Sequence, residues 1–499
     1  MSGTNTHAPI RALAAQLLMP ALDVGKYHAE EEYRNEMQSL VRDTGVGGVI
    51  IFNGTIASTR SAVDALQAMA PRPLLVACDL EPGLRNRLAD ATAFPHAMAI
   101  SRGDLRTCSD VAFAIAQEAR AAGITINFAP VCDVNSNPRN PIINTRAFGE
   151  EPATVTAFAQ AFIEGSHRGG VAAVVKHFPG HGDTAVDSHL ALAVIDAAMD
   201  RLERVELSPF RSTMGHGADG VMVAHILATA IDAALPASLS DAWISGIIRR
   251  NMGYNGLVFT DALMMHAIAT NYTVEDAAAL AVNAGCDVLV MPVDVGRSID
   301  GIVSAVERDP QLYDKIVAAI GRIDTARLPR ELHLTIEQES AALLCSRVAE
   351  RALTVKGDAT QLPLTGDCAV VLLGGSQDDS DIAFTRDLLG QFSLSSGALL
   401  DLEVNGVNTL KNKYEKIYCL MFSGVVSFQG HLGETEKYQK VVAECSHRAN
   451  ATIGISVGNP YIWSDLSGFT CSVDTYSNSR ASLIAALDRL MMRTESAHS

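Results

Sequence analysis

The sequence predicts an α/β protein made of a large (β/α) barrel followed by a smaller three-layer α/β domain. With 499 residues, the chain is long enough for at least two hydrophobic cores. Hydrophobic residues make up 48% of it and aromatic residues only 5%, which is typical of proteins whose parallel strands are buried on both faces. Short apolar runs also alternate with longer helix-patterned stretches, which indicates repeated strand–helix units.

Seven apolar runs between residues 45 and about 295 predict the barrel strands: GVGGVIIF, PLLVACD, ITINFAP, VAAVVKHF, DGVMVAH, GLVFTD and CDVLVMP. Most of them end in a polar or ionisable side chain, and these ends are Asp79, Asn127, Lys176 with His177, His225, Asp261, and Met291 leading to Asp294. Because the carboxyl ends of barrel strands converge on one mouth, these side chains are expected to face a single pocket.

The second domain is predicted from three later strands, CAVVLLGG, KIYCLMF and ATIGISVGNP, separated by helix-like pieces. We therefore predict a catalytic barrel over residues 1–335, a helical linker over 336–364 and an αβα sandwich over 365–499.

The net charge and the cysteine content indicate which partners the protein lacks and in which compartment it is expected. The formal net charge of −17 argues against nucleic acid, which is bound mainly by clustered Lys and Arg. The nine cysteines form an odd set without a CxxC pair and are expected to be reduced. The apolar stretch near the N terminus is too short to span a bilayer. We expect a cytoplasmic protein without a membrane partner.

The segment with the most chemistry is KHFPGHGDTAVDSH, from Lys176 to His189. A metal site is one explanation, but HExxH spacing is missing and the adjacent Lys176 would repel a cation. We therefore expect no metal and no other cofactor. In the alternative explanation, Lys176 and His177 donate hydrogen bonds to sugar hydroxyls, while Gly180 and Gly182 let the loop fold over the sugar.

Asp187 and His189 lie two residues apart, so in an extended loop their side chains point the same way. The carboxylate can then orient the imidazole and raise its basicity, which leaves the other ring nitrogen to move a proton. A nucleophile is still needed, and Asp261 at the end of an apolar strand is the best candidate. Its alternative role is to cap the helix predicted to follow it.

These residues resemble glycoside hydrolase family 3, in the bacterial β-N-acetylglucosaminidase branch. KHFPGHGDTAVDSH is similar to the signature of that branch, FAPVCDVNSNPRNPIINTRAFG at 128–149 looks like a second conserved segment, and VFTDALMM looks like its nucleophile strand. The matches are spread over residues 79–294. The resemblance implies a TIM-like (β/α)8 barrel followed by an αβα sandwich.

The resemblance also implies roles for individual residues. Asp261 would form a covalent glycosyl-enzyme, and His189 supported by Asp187 would be the acid/base. The sugar would be held by Asp79, Arg87, Arg146, Lys176 and His177, to which the strand-end pattern adds His225. The chain departs from the branch in DLEPGLRNR, where Pro82 replaces a glycine and Arg85 is added. The choice between glucose and N-acetylglucosamine therefore stays open.

A histidine acid/base also leaves the acceptor open. After the glycosyl-enzyme has formed, a second molecule, the acceptor, must take the sugar from it. In this step an anionic carboxylate base would repel phosphate, whereas an imidazole would not. Together with Arg85 near the mouth and abundant cytosolic phosphate, this slightly favours a β-glycoside phosphorylase over a hydrolase of peptidoglycan recycling. An inactive sugar-binding barrel is a third hypothesis. The expected partners are a small β-glycoside and, for the phosphorylase, inorganic phosphate.

Overall fold

The computed structural model of the chain describes residues 7–184, 192–328, 340–374, 379–390, 398–401, 410, 413–423, 435–464 and 466–491. These residues divide into two compact units, each with its own core. The first unit comprises residues 1–92, 108–142 and 147–338, and the second comprises residues 93–107, 143–146 and 339–499. The domain boundaries given above at 335 and 365 stay predictions.

The first unit is built on parallel strands. In chain order they are β1 (Leu18–Met19), β2 (Ala21–Asp23), β3 (Gly48–Phe52), β4 (Leu75–Cys78), β5 (Ile126–Asn127), β6 (Ala172–Phe178), β7 (Ala193–Ile195), β8 (Gly220–Val223), β9 (Ile226–Ala228), β10 (Leu257–Thr260) and β11 (Leu289–Val290). Strands β7 and β9 pair with each other and belong to the loops that follow β6 and β8. The other strands form the barrel wall.

The barrel closes on itself through β11. A parallel sheet runs in the order β10-β8-β6-β5-β4-β3-β2. Strand β11 joins β10 by a parallel bridge between Phe259 and Val288 and pairs in parallel with β1. The Gly47 N–H in turn donates to the Leu18 carbonyl at 3.1 Å, which links β1 to the loop entering β3. The described residues thus confirm the predicted eight-stranded barrel, with β1 and β2 as one interrupted strand.

The first barrel strand was missed by the sequence analysis. The apolar stretch near the N terminus forms β1 and β2, with Pro20 between them. Proline has no N–H to give to a strand ladder, which explains the interruption. The seven predicted runs all contain observed strands, from Gly48–Phe52 to Leu289–Val290.

Helices alternate with these strands and continue into the second unit. In chain order they are α1 (His7–Ala15), α2 (Val24–Ala29), α3 (Glu31–Ser39), α4 (Ile56–Met69), α5 (Ala97–Ile100), α6 (Leu105–Ala121), α7 (Pro152–Arg168), α8 (Met199–Arg204), α9 (Leu207–Gly215), α10 (His266–Ala269), α11 (Val274–Ala284), α12 (Val295–Arg308), α13 (Leu312–Ala326), α14 (Ala341–Ala352), α15 (Asp379–Gly390), α16 (Thr435–Arg448) and α17 (Arg480–Met491). None of the described helices is both long and apolar enough to cross a membrane.

Side-chain caps fix several of these helix starts. Thr55 accepts from the Ser58 N–H and forms a capping box before α4, and Thr273 accepts from the Asp276 N–H before α11. Asp294 accepts from the Arg297 N–H at 2.9 Å and caps α12. Asp294 thus caps a helix, a role that the sequence did not suggest, and its position in the barrel pocket stays a prediction.

The second unit has a sheet ordered β12-β17-β16-β15-β13-β14. Its strands are β12 (Thr354–Gly357), β13 (Cys368–Leu373), β14 (Ala398–Asp401), β15 (Tyr414–Ser423), β16 (Ala449–Gly458) and β17 (Cys471–Asp474). The pairing is parallel except for the edge strand β12, which runs antiparallel to β17. Helix α14 and strand β12 both lie in the range assigned to the linker.

Alternate residues of β15 show that the second unit has three layers. Tyr418 and Leu420 pack in a core with Leu487 of α17, whereas Ile417 and Cys419 pack in a separate core. That other core includes the side chains of α16. Because successive strand residues point to opposite faces, the two helices cover opposite sides of the sheet, as expected for an αβα sandwich.

Candidate active site

The structure places four predicted site regions at the carboxyl ends of barrel strands. Asp79 follows β4 directly, and Asp261 follows β10 directly. Lys176 and His177 lie near the end of β6, where its register with β8 shifts, and His225 lies two residues after β8. Because all these strands are parallel members of one barrel, the residues lie at the same end of it.

Lys176 is the centre of an ion-pair cluster. Its side chain is only 2% exposed, and its Nζ lies 2.8 Å from Asp79 Oδ1 and 2.7 Å from Glu81 Oε1. An ammonium this deeply buried requires compensating charge, because desolvation of an unpaired ion is costly. Glu81 therefore shares the ammonium with Asp79, a role the sequence analysis did not assign to it.

Arg87 completes the charge balance. Its guanidinium lies 3.4 Å from Asp79 Oδ2 and 4.8 Å from the centre of the Phe52 ring, a cation–π contact. Burial alone would raise the pKa of Asp79, but the Lys176 ammonium and the Arg87 guanidinium hold that pKa below its ordinary value. Asp79 is therefore an anion at neutral pH, able to accept hydrogen bonds from sugar hydroxyls.

A glycine shapes the loop that carries these groups. Gly83 has a φ of 85°, in the region that side chains with a Cβ rarely adopt. The turn at Gly83 brings the chain from Asp79 round to Arg87 within nine residues. The pattern DLEPGLRNR keeps glycine at the position that needs it, while Pro82 stands at the neighbouring one.

Asp133 is a site residue that the sequence analysis missed. Its carboxylate is fully buried, lies 2.7 Å from His177 Nδ1 and accepts the His181 N–H at 2.6 Å. Burial would raise the pKa of Asp133, but its contacts with His177 and His181 hold that pKa below the ordinary value. Asp133 thus fixes the imidazole orientation of His177 and the start of the following loop.

The start of that loop is held by further contacts. His181 Nδ1 lies 2.6 Å from Thr184 Oγ1, and Asn140 donates from Nδ2 to the His181 carbonyl at 2.7 Å. A Cβ on Gly182 would lie 1.7 Å from the Val134 carbonyl oxygen, so only glycine fits there. Gly182 therefore packs tightly against the neighbouring loop, which differs from the expected role of giving freedom to fold over a sugar.

Asp261 is positioned by the backbone of the strand ends. Its N–H donates to the Val223 carbonyl at 2.9 Å, and its Oδ1 accepts the Ala262 N–H at 2.8 Å. The next helix, α10, begins only at His266, and its N-cap is Met265. Asp261 therefore does not cap that helix, which removes the structural alternative for this carboxylate and favours a chemical role.

His225 lies beneath this turn rather than at its surface. The ring is completely buried, with Nδ1 2.7 Å from Ser238 Oγ and Nε2 3.0 Å from the Ala262 carbonyl oxygen. Both ring nitrogens thus contact protein atoms. The role of His225 as a sugar ligand stays a prediction.

The roles of Asp187, His189 and Arg146 stay predictions. Asp187 and His189 lie outside the described residues, which resume at 192. Arg146 belongs to the 143–146 segment, which packs with the second unit. Arg85 is exposed, and its guanidinium donates to the Ala89 carbonyl. In the part of the chain that the structure describes, no group of three or more His, Cys, Asp and Glu is arranged to hold a metal.

Sequence comparisons identify relatives of this chain. Residues 10–326 match the model of the glycosyl hydrolase family 3 N-terminal domain. Beta-hexosaminidase A of Pseudoalteromonas piscicida is 33% identical over 383 residues, which cover 68% of this chain and 64% of that protein. A beta-hexosaminidase of Xylella fastidiosa is 37% identical over 262 residues, covering 50% of this chain and 77% of the relative.

Solved structures match nearly the whole chain. A family 3 beta-N-acetylglucosaminidase from a Paenibacillus species has a TM-score of 0.83 and 27% identity, with 98% of this chain and 97% of that one covered. Beta-glucoside phosphorylase BglX has a TM-score of 0.84 at 20% identity, covering 99% and 95%. At that identity the second likeness shows the fold alone.

Proposed function

Because the chain belongs to glycoside hydrolase family 3, we propose that it cleaves terminal β-glycosides by double displacement, with Asp261 as the nucleophile. The observation that carries this proposal is the placement of Asp261 at the mouth of a closed barrel, beside strand ends that present Asp79, Lys176 and His177. A carboxylate on a rigid strand end, held by two backbone contacts, meets the geometric demand on a nucleophile.

In the first step the Asp261 carboxylate attacks the anomeric carbon as the bond to the aglycone oxygen breaks. The electron pair of that bond goes to the leaving oxygen, which takes a proton from His189. Asp79, Arg87, Lys176 and His177 hold the sugar hydroxyls, and Asp187 orients His189. In the second step His189 takes a proton from the acceptor, which displaces Asp261 and restores the original anomeric configuration.

We propose β-N-acetylglucosaminides as the preferred donors. The support is that the relatives at 33% and 37% identity are beta-hexosaminidases, and that the Paenibacillus structure of similar length is a beta-N-acetylglucosaminidase. β-Glucosides are the second donor class, because the loop containing Pro82 and Arg85 departs from the branch pattern next to the predicted sugar pocket.

We propose water as the acceptor of the glycosyl group, supported by the relatives at 33% and 37% identity, which are beta-hexosaminidases, and inorganic phosphate is the second candidate. Phosphate is favoured by the histidine acid/base, which would not repel an anion. Arg85 supports phosphate as the acceptor less than the sequence suggested, because the Arg85 guanidinium donates to the Ala89 carbonyl. A cytoplasmic location is part of the proposal and is supported by the nine buried cysteines, which are all free thiols.

The test is a comparison of four reactions: 4-nitrophenyl β-N-acetylglucosaminide and β-glucoside, each with and without inorganic phosphate, with products identified by chromatography. We expect turnover of the N-acetylglucosaminide and release of the free sugar. Formation of sugar 1-phosphate with faster turnover would establish the phosphorylase instead. An Asp261→Asn variant is the control, and equal activity in that variant would refute the mechanism. No turnover of either donor would favour the inactive sugar-binding barrel.

A further inference from the structure

Hydrogen bonds and the backbone of one residue, Ala262, connect Ser238, in the loop after β9, to the carboxylate of Asp261. Ser238 contacts His225 Nδ1 at 2.7 Å, and His225 Nε2 lies 3.0 Å from the Ala262 carbonyl oxygen. The N–H of the same residue, Ala262, donates to Asp261 Oδ1 at 2.8 Å. The first two side chains are completely buried. Ala262 and Asp261, at the other end of this path, are half-buried.

The chemistry of the partners fixes the imidazole tautomer. A carbonyl oxygen only accepts, so His225 Nε2 must carry the proton that it donates to Ala262. In the neutral ring, Nδ1 is then the acceptor for the Ser238 hydroxyl. Ser238 thus selects the tautomer of His225. His225 in turn holds the carbonyl of Ala262, the residue that follows the nucleophile.

We propose that His225 is a positioning residue that acts on Asp261 through Ala262, with Ser238 setting its tautomer. This inference rests on the proposed function, and it replaces the sugar contact predicted for His225 from the strand-end pattern. The Asp261 backbone is already tied to β8 through the Val223 carbonyl. His225, from the end of the same strand, supplies a second tie just beyond the nucleophile.

Two fixed points on either side of Asp261 define where its carboxylate lies relative to the anomeric carbon. The Ala262 carbonyl that His225 holds and the Ala262 N–H that contacts Asp261 Oδ1 belong to consecutive peptide groups joined at the Ala262 Cα. Without the His225 contact, rotation about the backbone bonds of Ala262 can move this N–H and, with it, the carboxylate oxygen. A misplacement of about 1 Å in a reacting group can cost on the order of 10²-fold in rate. The loss should appear in the attack step, because the groups that bind the sugar hydroxyls stay in place.

The experiment uses the full-length protein and its variants His225→Leu, His225→Gln and Ser238→Ala. A 5-fluoro glycosyl fluoride traps the glycosyl-enzyme, and its first-order inactivation constant reports the attack of Asp261. The Ki of the free product sugar reports sugar binding. We expect His225→Leu to slow inactivation by about 10²-fold, with the Ki changed by less than about 3-fold. His225→Gln should recover part of the rate, because its amide N–H can donate to Ala262, and Ser238→Ala should slow the step less than His225→Leu.

Asp79→Asn is the matched control, because loss of a predicted sugar contact should raise the Ki. A His225 variant whose Ki rises by the same factor as its rate falls would make His225 a sugar ligand and overturn the inference. Inactivation at the wild-type rate in all three variants would also overturn it. If the wild type itself forms no adduct, the proposed function fails as well, and this result is distinct from failure in the variants alone. Circular dichroism and adduct stoichiometry normalise each rate to folded protein.

Discussion

The two ends of the barrel both bury charged side chains, but they arrange them differently. At the amino ends of the strands, the floor, Asp287 is completely buried between Arg322 and Arg249. At the carboxyl ends, the mouth, the buried ion is the Lys176 ammonium, which is shared by Asp79 and Glu81. The floor thus surrounds one carboxylate with two cations, whereas at the mouth two carboxylates share one buried ammonium and the Arg87 guanidinium lies 3.4 Å from one of them.

The floor carboxylates also contact the backbone of neighbouring strands, whereas a mouth carboxylate stays partly exposed. Asp287 Oδ2 also accepts the Val258 N–H at 2.8 Å, and Asp219 accepts the Ala173 N–H at 2.8 Å and contacts His167 at 2.8 Å. These floor carboxylates tie neighbouring strands together. At the mouth, the Asp79 side chain keeps 26% of its surface exposed. We infer that the floor serves stability and the mouth serves binding and chemistry, as is usual for barrel enzymes.

Substitution of Asp261 tests most strongly whether the mouth serves chemistry rather than stability. Asp261→Asn should lower kcat/KM by at least about 10⁴-fold, the scale of losing a nucleophile, which corresponds to about 5.5 kcal/mol of barrier. The free energy of unfolding should change little, because an asparagine oxygen can still accept the Ala262 N–H. Steady-state kinetics and urea unfolding on the same preparation measure both. A large loss of stability would place Asp261 with the structural residues.

At the floor, Asp287→Asn should have the opposite effect. Removing this carboxylate leaves Arg249 and Arg322 without their buried partner, and breaking such a pair costs about 3–5 kcal/mol of unfolding free energy. The kcat/KM per folded molecule should stay within about 2-fold of wild type. Asp64→Asn is the matched control, because both side chains of its pair with Arg60 are about half exposed and the pair should contribute only about 0–1 kcal/mol.

Asp133→Asn tests a mouth residue that has both roles. The amide cannot accept from both the His177 ring and the His181 N–H without turning its NH₂ group towards one donor, so we expect a loss of about 1–3 kcal/mol at neutral pH. Because the pKa of Asp133 is held below its ordinary value, its stabilisation is present above the unfolded pKa of about 3.9 and is lost as pH falls further. The variant should therefore show a flatter decline of stability below about pH 4 in urea titrations. An unchanged decline would remove Asp133 from the acid-sensitive groups.

Arg85→Ala should have the smallest effect. The side chain is exposed and donates to a local carbonyl, so stability should change by no more than about 0.5 kcal/mol. The ratio of rates with and without phosphate should also stay constant. A fall in that ratio alone would show that Arg85 attracts phosphate to the mouth and would favour the phosphorylase.

The sequence was sufficient for the features that repeat or stand at strand ends. Apolar runs ending in Asp79, Lys176 and Asp261 predict the barrel and its mouth, because strand periodicity and barrel geometry together fix where those ends meet. The N-terminal strand was not predicted, because Pro20 splits it into pieces of two and three residues. Neither piece carries a recognisable strand pattern.

The supporting residues of the site could not be found from local pattern. Asp133 contacts a histidine 44 residues later in the chain, and Ser238 contacts His225 across a long loop. Such pairs become visible only when the barrel has closed. Asp133 does lie inside the segment FAPVCDVNSNP, so the motif that suggested the family also contained the signal for this residue. Asp294 shows that a carboxylate after a strand end can also serve as a helix cap.

Trapping the covalent intermediate tests the central claim most directly. The wild-type protein is treated with a 5-fluoro glycosyl fluoride, digested, and mapped by mass spectrometry. We predict that one sugar is attached per chain, on the peptide that contains Asp261, and that Asp261→Asn forms no adduct under the same conditions. A sugar on another carboxylate, or turnover of the reagent without any adduct, would contradict the assignment of Asp261 as the nucleophile.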